Sequence, residues 1–328
     1  MVMKKRAIGK TVFLVLLALI LLALLGYTAG LLYPRGARAG DNSGLGDWMG
    51  RLDGKLRLSE INIPGTHDSA TQYIFPAYFL RDQDTGVQEQ LENGYRYLDV
   101  RVALDKDGKE LKLIHAFGTC RRGAALWSKA LSYDDFCDAA LAFLDTHPGE
   151  TVIFCVKPES SGDDPAAVRA LIEARAALEP DKWYTDNTIP TLDEARGRIV
   201  LCRRYDGALG LDFDWADQGD PSVLENPVEA HAMGETESLF VQDRYHYAVA
   251  DKWQAVRFTL ENCRAGADAF SLNFLSTAQG KLPHPHAFAR EMNALFADEK
   301  LEKGGHYGII LFDFASAELA RQVVESNA

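Results

Sequence analysis

Between residues 56 and 325 the chain alternates strand-like and helix-like segments, and this alternation narrows the fold more than any other feature. Apolar runs at Leu56–Ile63, Tyr95–Leu104, Leu111–His115, Thr151–Lys157, Arg198–Arg204, Leu239–Tyr245, Ala269–Phe274 and Tyr307–Phe314 read as strands. Most are separated by stretches of helical period: Gln83–Asn93, Tyr133–Thr146, Asp164–Leu178, Ala248–Cys263, His286–Leu301 and Ala317–Glu325. About eight strands with intervening helices argue for a closed parallel β/α barrel over an open sheet. The chain shows no internal repeat.

Side chains two apart in a strand share a face. Asp99 and Arg101 therefore project together, as do Val200, Cys202 and Arg204, and Ile309, Leu311 and Asp313. Thr151, Ile153, Cys155 and Lys157 form another such set, and Asp243 pairs with Tyr245. In several of these strands the face is apolar below and polar at its C-terminal end. A barrel interior has this character, filled at the bottom and reactive at the top. The first strand is expected to break at Pro64-Gly65, because Pro lacks an N–H and Gly permits unusual φ. His67 and Asp68 follow that break side by side. Thr66, Asp68 and Ser69 are also good helix N-caps, so the spacing alone leaves function and capping both open.

Two histidines (His67, His115), three basic groups (Arg101, Lys157, Arg204) and several aspartates suit acid–base catalysis at an anionic centre. One imidazole can act as base and the other as acid near neutral pH. A histidine such as His115 at a strand end also fits plain core packing.

The N-terminus has a different composition. Lys4, Lys5, Arg6, Lys10, Arg35 and Arg38 are its charges, with no acid before Asp41. Removing these basic residues from the net −12 leaves −18 for residues 41–328. A domain so acidic repels nucleic acid and anionic surfaces at long range. The apolar run from Val12 continues to Tyr33, enough for the roughly 20 residues a bilayer span needs. The expectation is an uncleaved signal anchor within residues 1–40, with the rest facing outward by the positive-inside rule. Cleavage at Ala37-Arg38-Ala39 would instead release the protein. Residues 41–55 read as a glycine-rich linker and 56–328 as the barrel domain.

Cys120, Cys137, Cys155, Cys202 and Cys263 show no C-x-x-C spacing, which argues against zinc. Cys155 and Cys202 lie in apolar strands as buried thiols. Cys120 and Cys137 stand where an extracellular disulfide could form.

The ordered motifs resemble one family. Ile63-Pro64-Gly65-Thr66-His67-Asp68-Ser69, Gly94-Tyr95-Arg96-Tyr97-Leu98-Asp99-Val100-Arg101 and Leu113-Ile114-His115 resemble the bacterial-type phosphatidylinositol-specific phospholipase C X-domain family. Lys157-Pro158-Glu159, Arg203-Arg204-Tyr205, Gln242-Asp243-Arg244-Tyr245 and Phe312-Asp313-Phe314 follow in the family's order. The resemblance spans most of residues 47–328. It implies an irregular (β/α)8 TIM-type barrel, here preceded by an N-terminal hydrophobic helix. It also implies cleavage of phosphatidylinositol, or a glycosylated form, to diacylglycerol and inositol 1,2-cyclic phosphate. In the implied roles His67 is the general base and His115 the general acid. Arg101, assisted by Asp68, steadies the non-bridging oxygen. Asp313 orients His67 and Asp99 orients His115. Lys157, Arg204, Asp243 and Tyr245 hold the inositol ring.

No cofactor is implied. Calcium-dependent relatives carry an acidic ligand where this chain has Arg101, and a guanidinium there opposes a cation. The implied partner is a phosphatidylinositol-containing membrane, met by a monomer. Ala116-Phe117-Gly118 after His115 departs from the family pattern, as does the loop from Asp206 to Ala230. The aromatic stretch Tyr73–Phe79 suits either packing over the barrel rim or an interfacial patch. Two other classes fit less well. A non-catalytic polyol- or lipid-binding barrel needs neither histidine. A metal-dependent glycerophosphodiesterase needs a His-Arg and a Glu-x-Asp pair where this chain has Thr66-His67-Asp68 and Asp99-x-Arg101.

Overall fold

A computed structural model describes residues 2–31, 40–125, 127–279 and 284–327, with the side chains of 2–9 and 27–31 left aside. The first half of the chain forms α1 (Val2–Leu31), β1 (Ile63–Thr66), α2 (Ala77–Leu80), α3 (Val87–Glu92), β2 (Tyr97–Leu104), β3 (Leu111–His115), β4 (Gly118–Thr119), α4 (Tyr133–Thr146) and β5 (Val152–Pro158). Then come α5 (Pro165–Leu178), β6 (Trp183–Tyr184), α6 (Leu192–Ala195), β7 (Ile199–Arg203), β8 (Leu211–Asp212) and β9 (Glu229–Met233). The chain continues with β10 (Glu237–Gln242), α7 (Val249–Glu261), β11 (Ala269–Phe274), α8 (Pro285–Asp298), β12 (Ile309–Phe312) and α9 (Ala317–Glu325).

The strands curl in the order β6-β7-β5-β2-β1-β12-β11-β10-β9. All neighbours along this path are parallel except β9, which runs antiparallel to β10. This is the irregular barrel expected, with one correction. Among the described residues the backbone ladder is not closed, because it stops at β6 and β8 on one side and at β9 on the other. Side chains cross the opening instead. Gln218 donates to the Val241 carbonyl at 3.2 Å and accepts from the Asp243 N–H at 2.8 Å, standing in for a strand neighbour. Below it Phe213 meets Phe270 edge-on.

The period-2 pattern places the core as the sequence requires. Leu98, Val100 and Val102 of β2 face outward into an apolar layer with Phe136, Leu141 and Leu144 of α4. Tyr97 faces inward, among Ile153, Val200, Leu239, Leu272 and Leu311. Ser132 caps α4 in a reciprocal capping box with Asp135, and Asp164 caps α5 ahead of Pro165.

The start of the barrel differs from expectation. Residues 58–60 form a short 3-10 turn, and Pro64-Gly65 lie inside β1. Pro64 forgoes its own N–H while its carbonyl accepts from the Arg96 N–H at 2.9 Å. Gly65 is required by close approach, since a Cβ there would stand 3.1 Å from the Cβ of Tyr97. The strand breaks later, at Asp68, whose φ of 44° lies in the left-handed region that Asp tolerates.

One further expectation is corrected. Among the described residues no helix is long and apolar enough to cross a membrane. The signal anchor, and the membrane location drawn from it, do not stand; Ala37-Arg38-Ala39 lies outside the described residues. All five cysteines are free thiols, with Cys120 and Cys137 both buried.

Residues 45–49 pack onto the barrel. Trp48 and Met49 are buried, and the Trp48 indole donates to the Gly94 carbonyl at 2.9 Å. Behind them Arg96 is fully buried. Its guanidinium meets Glu150 at 2.8 Å and donates to the carbonyls of Leu91, Tyr95, Leu45 and Gly46.

Candidate active site

The C-terminal ends of β1, β2, β5, β7, β10 and β12, with the end of β3, surround a cavity of about 840 Å³. His67, Arg101, His115, Lys157, Arg204, Asp243, Tyr245 and Asp313 all line it, while Asp68 and Asp99 are buried immediately behind. Residues spread over nearly 250 positions thus meet in one place, because parallel strands deliver their last inward side chains to the same rim.

His67 leaves β1 beside the end of β12. Its backbone N–H donates to the Phe312 carbonyl at 3.1 Å, and Gln83 pins both segments by donating to the carbonyls of His67 and Phe312. The Nδ1 of His67 lies 2.7 Å from Asp313 Oδ1. A carboxylate there keeps the proton on Nδ1 and turns Nε2 to the cavity. Nε2 faces Arg101 Nη2 at 3.0 Å and Asp68 Oδ2 at 3.1 Å.

Arg101 is the hub. Nε and Nη2 reach Asp99 Oδ2 at 3.2 and 3.1 Å, Nε meets Asp68 Oδ1 at 3.0 Å, and Nη1 meets Glu159 Oε2 at 3.1 Å. Only a planar fork with several donors satisfies this set, which is why lysine is no substitute. His115 lies opposite His67. The ring centroids are 6.5 Å apart at 73°, and His115 Nε2 is 3.4 Å from Asp68 Oδ2. Both Nε2 atoms therefore look across one carboxylate.

The partner of His115 differs from the one expected. Asp99 is occupied with Arg101 and with the Asp68 N–H at 3.2 Å. The Nδ1 of His115 instead donates to the Leu80 carbonyl at 2.9 Å, with Asp82 Oδ2 at 3.0 Å. Asp82 carries no signal in the sequence, because it belongs to no strand or helix pattern. Glu159 was legible only as part of a motif. In the structure its other oxygen accepts from the Ala116 N–H at 2.6 Å, fixing the turn after His115 to Arg101. Ala116 has a φ of 49°, so this departure from the family pattern is a strained turn held by an acid.

Charge and burial set the protonation states. Burial alone would depress both imidazoles, but Asp68 and Asp313 outweigh it at His67, and Asp68 and Asp82 at His115. Each is pushed up to about 10. Burial raises the Asp68 carboxyl to about 7, against the pull of Arg101 and the two histidines. For Asp99 burial pushes the same way, yet Arg101 prevails and holds it well below the usual carboxylate range.

At the far side of the cavity the Arg204 guanidinium stacks 3.4 Å over the Trp215 ring, and the Trp215 indole donates to Asp243 at 3.2 Å. Tyr245 donates to Asp217 at 2.6 Å. Trp215 and Asp217 come from the divergent loop and were not anticipated. Burial, then Arg101 and Arg204, lowers the Lys157 ammonium. The rim beside His115 is aromatic. Within Tyr73–Phe79, Ile74 and Ala77 are buried, whereas Phe75 and Tyr78 are 47% and 43% exposed, so the stretch serves partly as core and partly as surface. Phe117, 79% exposed, joins Phe79 at the cavity mouth.

Among the described residues His67, Asp68 and Asp82 bring three potential ligand atoms together. Arg101 already holds Asp68 at 3.0 Å, and its fixed charge opposes a cation at that spot.

No family model matches the chain. It is 25% identical over 306 residues to a 1-phosphatidylinositol phosphodiesterase of Staphylococcus aureus, covering 86% of this chain and 94% of that protein. It is 24% identical over 294 residues to a protein of the same name from Listeria monocytogenes, covering 85% and 84%. The chain is thus similar, over most of its length, to bacterial 1-phosphatidylinositol phosphodiesterases. Its fold agrees. A solved phosphatidylinositol-specific phospholipase C from S. aureus superposes with a TM-score of 0.73 at 24% identity, covering 87% of this chain and 98% of that one. The L. monocytogenes enzyme gives 0.66 at 21%, covering 87% and 99%.

Proposed function

We propose that this chain is a metal-independent phospholipase C that cleaves phosphatidylinositol, or a glycosylated form, to diacylglycerol and inositol 1,2-cyclic phosphate. The observation that carries the reading is the pair of imidazoles facing each other across Asp68 and Arg101, with ring centroids 6.5 Å apart. His67 takes the proton of the inositol 2-hydroxyl at Nε2 while that oxygen bonds to phosphorus. The bond from phosphorus to the diacylglycerol oxygen breaks, and His115 protonates that oxygen from its own Nε2. Arg101 steadies the charge that gathers on a non-bridging oxygen.

A base must start unprotonated. Asp313, 2.7 Å from Nδ1, keeps the ring proton on that side and leaves Nε2 turned to the hydroxyl, while His115 stays charged. Asp313 orients His67. Asp99 supports Arg101 instead of His115. Lys157, Arg204, Asp243 and Tyr245 hold the inositol ring, the last two braced by Trp215 and Asp217. The exposed aromatics Phe75, Tyr78 and Phe117 stand on the leaving-group side, where the lipid enters. The acidic balance of residues 41–328 opposes nucleic acid as a partner, and the proposed catalyst acts as a monomer. Residues 56–328 form the catalytic domain, preceded by a lead-in at 41–55 and an N-terminal segment at 1–40.

A purely binding barrel would gain nothing from two imidazoles directed at one point. Phosphorus NMR of a phosphatidylinositol digest tests the reading. A five-membered cyclic phosphate is expected from the wild-type chain and not from His67→Ala. Absence of turnover on any inositol lipid would leave only a binding role.

A further inference from the structure

Asp82 has no assigned part in the reaction, yet it occupies a built position. Its backbone is held from two sides, by the Thr71 hydroxyl 3.0 Å from its N–H and by the Phe314 N–H 2.6 Å from its carbonyl. Phe314 follows Asp313, so one turn fixes the acids behind both imidazoles. The carboxylate is buried, and it ends 3.0 Å from His115 Nδ1. The Leu80 carbonyl takes the Nδ1 proton at 2.9 Å. Orientation of the ring and charge beside the ring are therefore supplied by separate groups. The charged and titratable groups facing His115 are Asp68 after β1, Asp82 after α2, Arg101 on β2, Glu159 after β5, Asp313 after β12 and the His67 ring.

We infer that Asp82 is a positioning residue for the second half of the reaction: it holds the His115 imidazolium in place as proton donor to the departing alcohol. This rests on the proposed lyase reading. In that step the phosphorus–oxygen bond to the leaving group breaks, its electron pair stays on oxygen, and the Nε2 proton of His115 joins that oxygen. The histidine ends neutral, and Asp82 neither gains nor loses a proton. A leaving group that departs readily as an anion has no need of this proton, so Asp82 matters in proportion to the basicity of the leaving oxygen.

The test uses the full chain and two soluble phosphodiesters of inositol 1-phosphate, one with an alkyl alcohol and one with a nitrophenol as leaving group. Asp82→Asn keeps shape and removes charge. It is expected to lower kcat/KM about 100-fold on the alkyl ester and less than about threefold on the nitrophenyl ester. Asp82→Glu, which restores the charge, is expected to recover about tenfold of the alkyl loss. Equal losses on both esters overturn the assignment. If Asp82→Asn does not fold, Asp82→Glu is read alone, and an equal loss there overturns it likewise. Wild-type chain that cleaves neither ester refutes the lyase reading itself, a different outcome from an equal loss in the variants.

Discussion

Replacing Asp68 by Asn is the sharpest probe of how this site holds its protons. The carboxylate lies 3.1 Å from His67 Nε2 and 3.4 Å from His115 Nε2, so one substitution removes one negative charge from both imidazoles. At 3.1 Å a unit pair interacts by about 5 kcal/mol in an effective dielectric of about 20. That is an upper limit, because Arg101 neutralises part of the charge from 3.0 Å. A single opposite charge at such range ordinarily moves a pKa by about 1–3 units.

The sign follows from the order of titration. In the wild type Asp68 ionises near 7, and above that pH its charge keeps both histidines protonated to about 10. In Asp68→Asn the histidines lose this support and release protons earlier. The alkaline limb of kcat/KM, where His115 ceases to be an acid, should move acidward by about 1–3 pH units. Well below pH 7 both proteins carry two imidazolium rings and a neutral residue 68, so the histidine titration states converge there. The assays are a pH–rate profile on a soluble inositol phosphodiester and proton NMR titration of the histidine Cε1–H signals. An alkaline limb that stays in place or moves upward would refute the electrostatic account of Asp68.

Two other predictions are simpler. Glu150→Gln leaves the wholly buried Arg96 guanidinium beside a neutral partner, and urea unfolding should show a loss of about 3–5 kcal/mol; a loss under about 1 kcal/mol would mean that the surrounding carbonyls alone suffice. Adding a chelator in excess should leave turnover unchanged, since Arg101 supplies the positive charge covalently; strong inhibition restored by calcium would reverse that conclusion.

What was readable from the sequence is what local periodicity controls. The bounds of β3, α4, β11 and α9 match their sequence patterns, because each buries one face at its own period. The pairing of Asp99 with Arg101 on one face followed from the strand repeat alone. So did the placement of Lys157, Arg204 and Asp313 at strand ends.

What tertiary structure decided is whatever depends on two segments meeting. Among the described residues the backbone ladder stays open because β8 is two residues long and Gln218, from a loop without periodicity, completes the pairing by a side chain. Asp82 reaches His115 because residues 74–80 pack against Gly118, where any Cβ would stand 2.6 Å from Leu80. Nothing local marks that contact. Residue types in strand register are enough to assemble two histidines, an arginine and their acids at one rim. Which acid faces which ring is set by loops crossing from elsewhere, since a strand repeat specifies a face and not the neighbour across it.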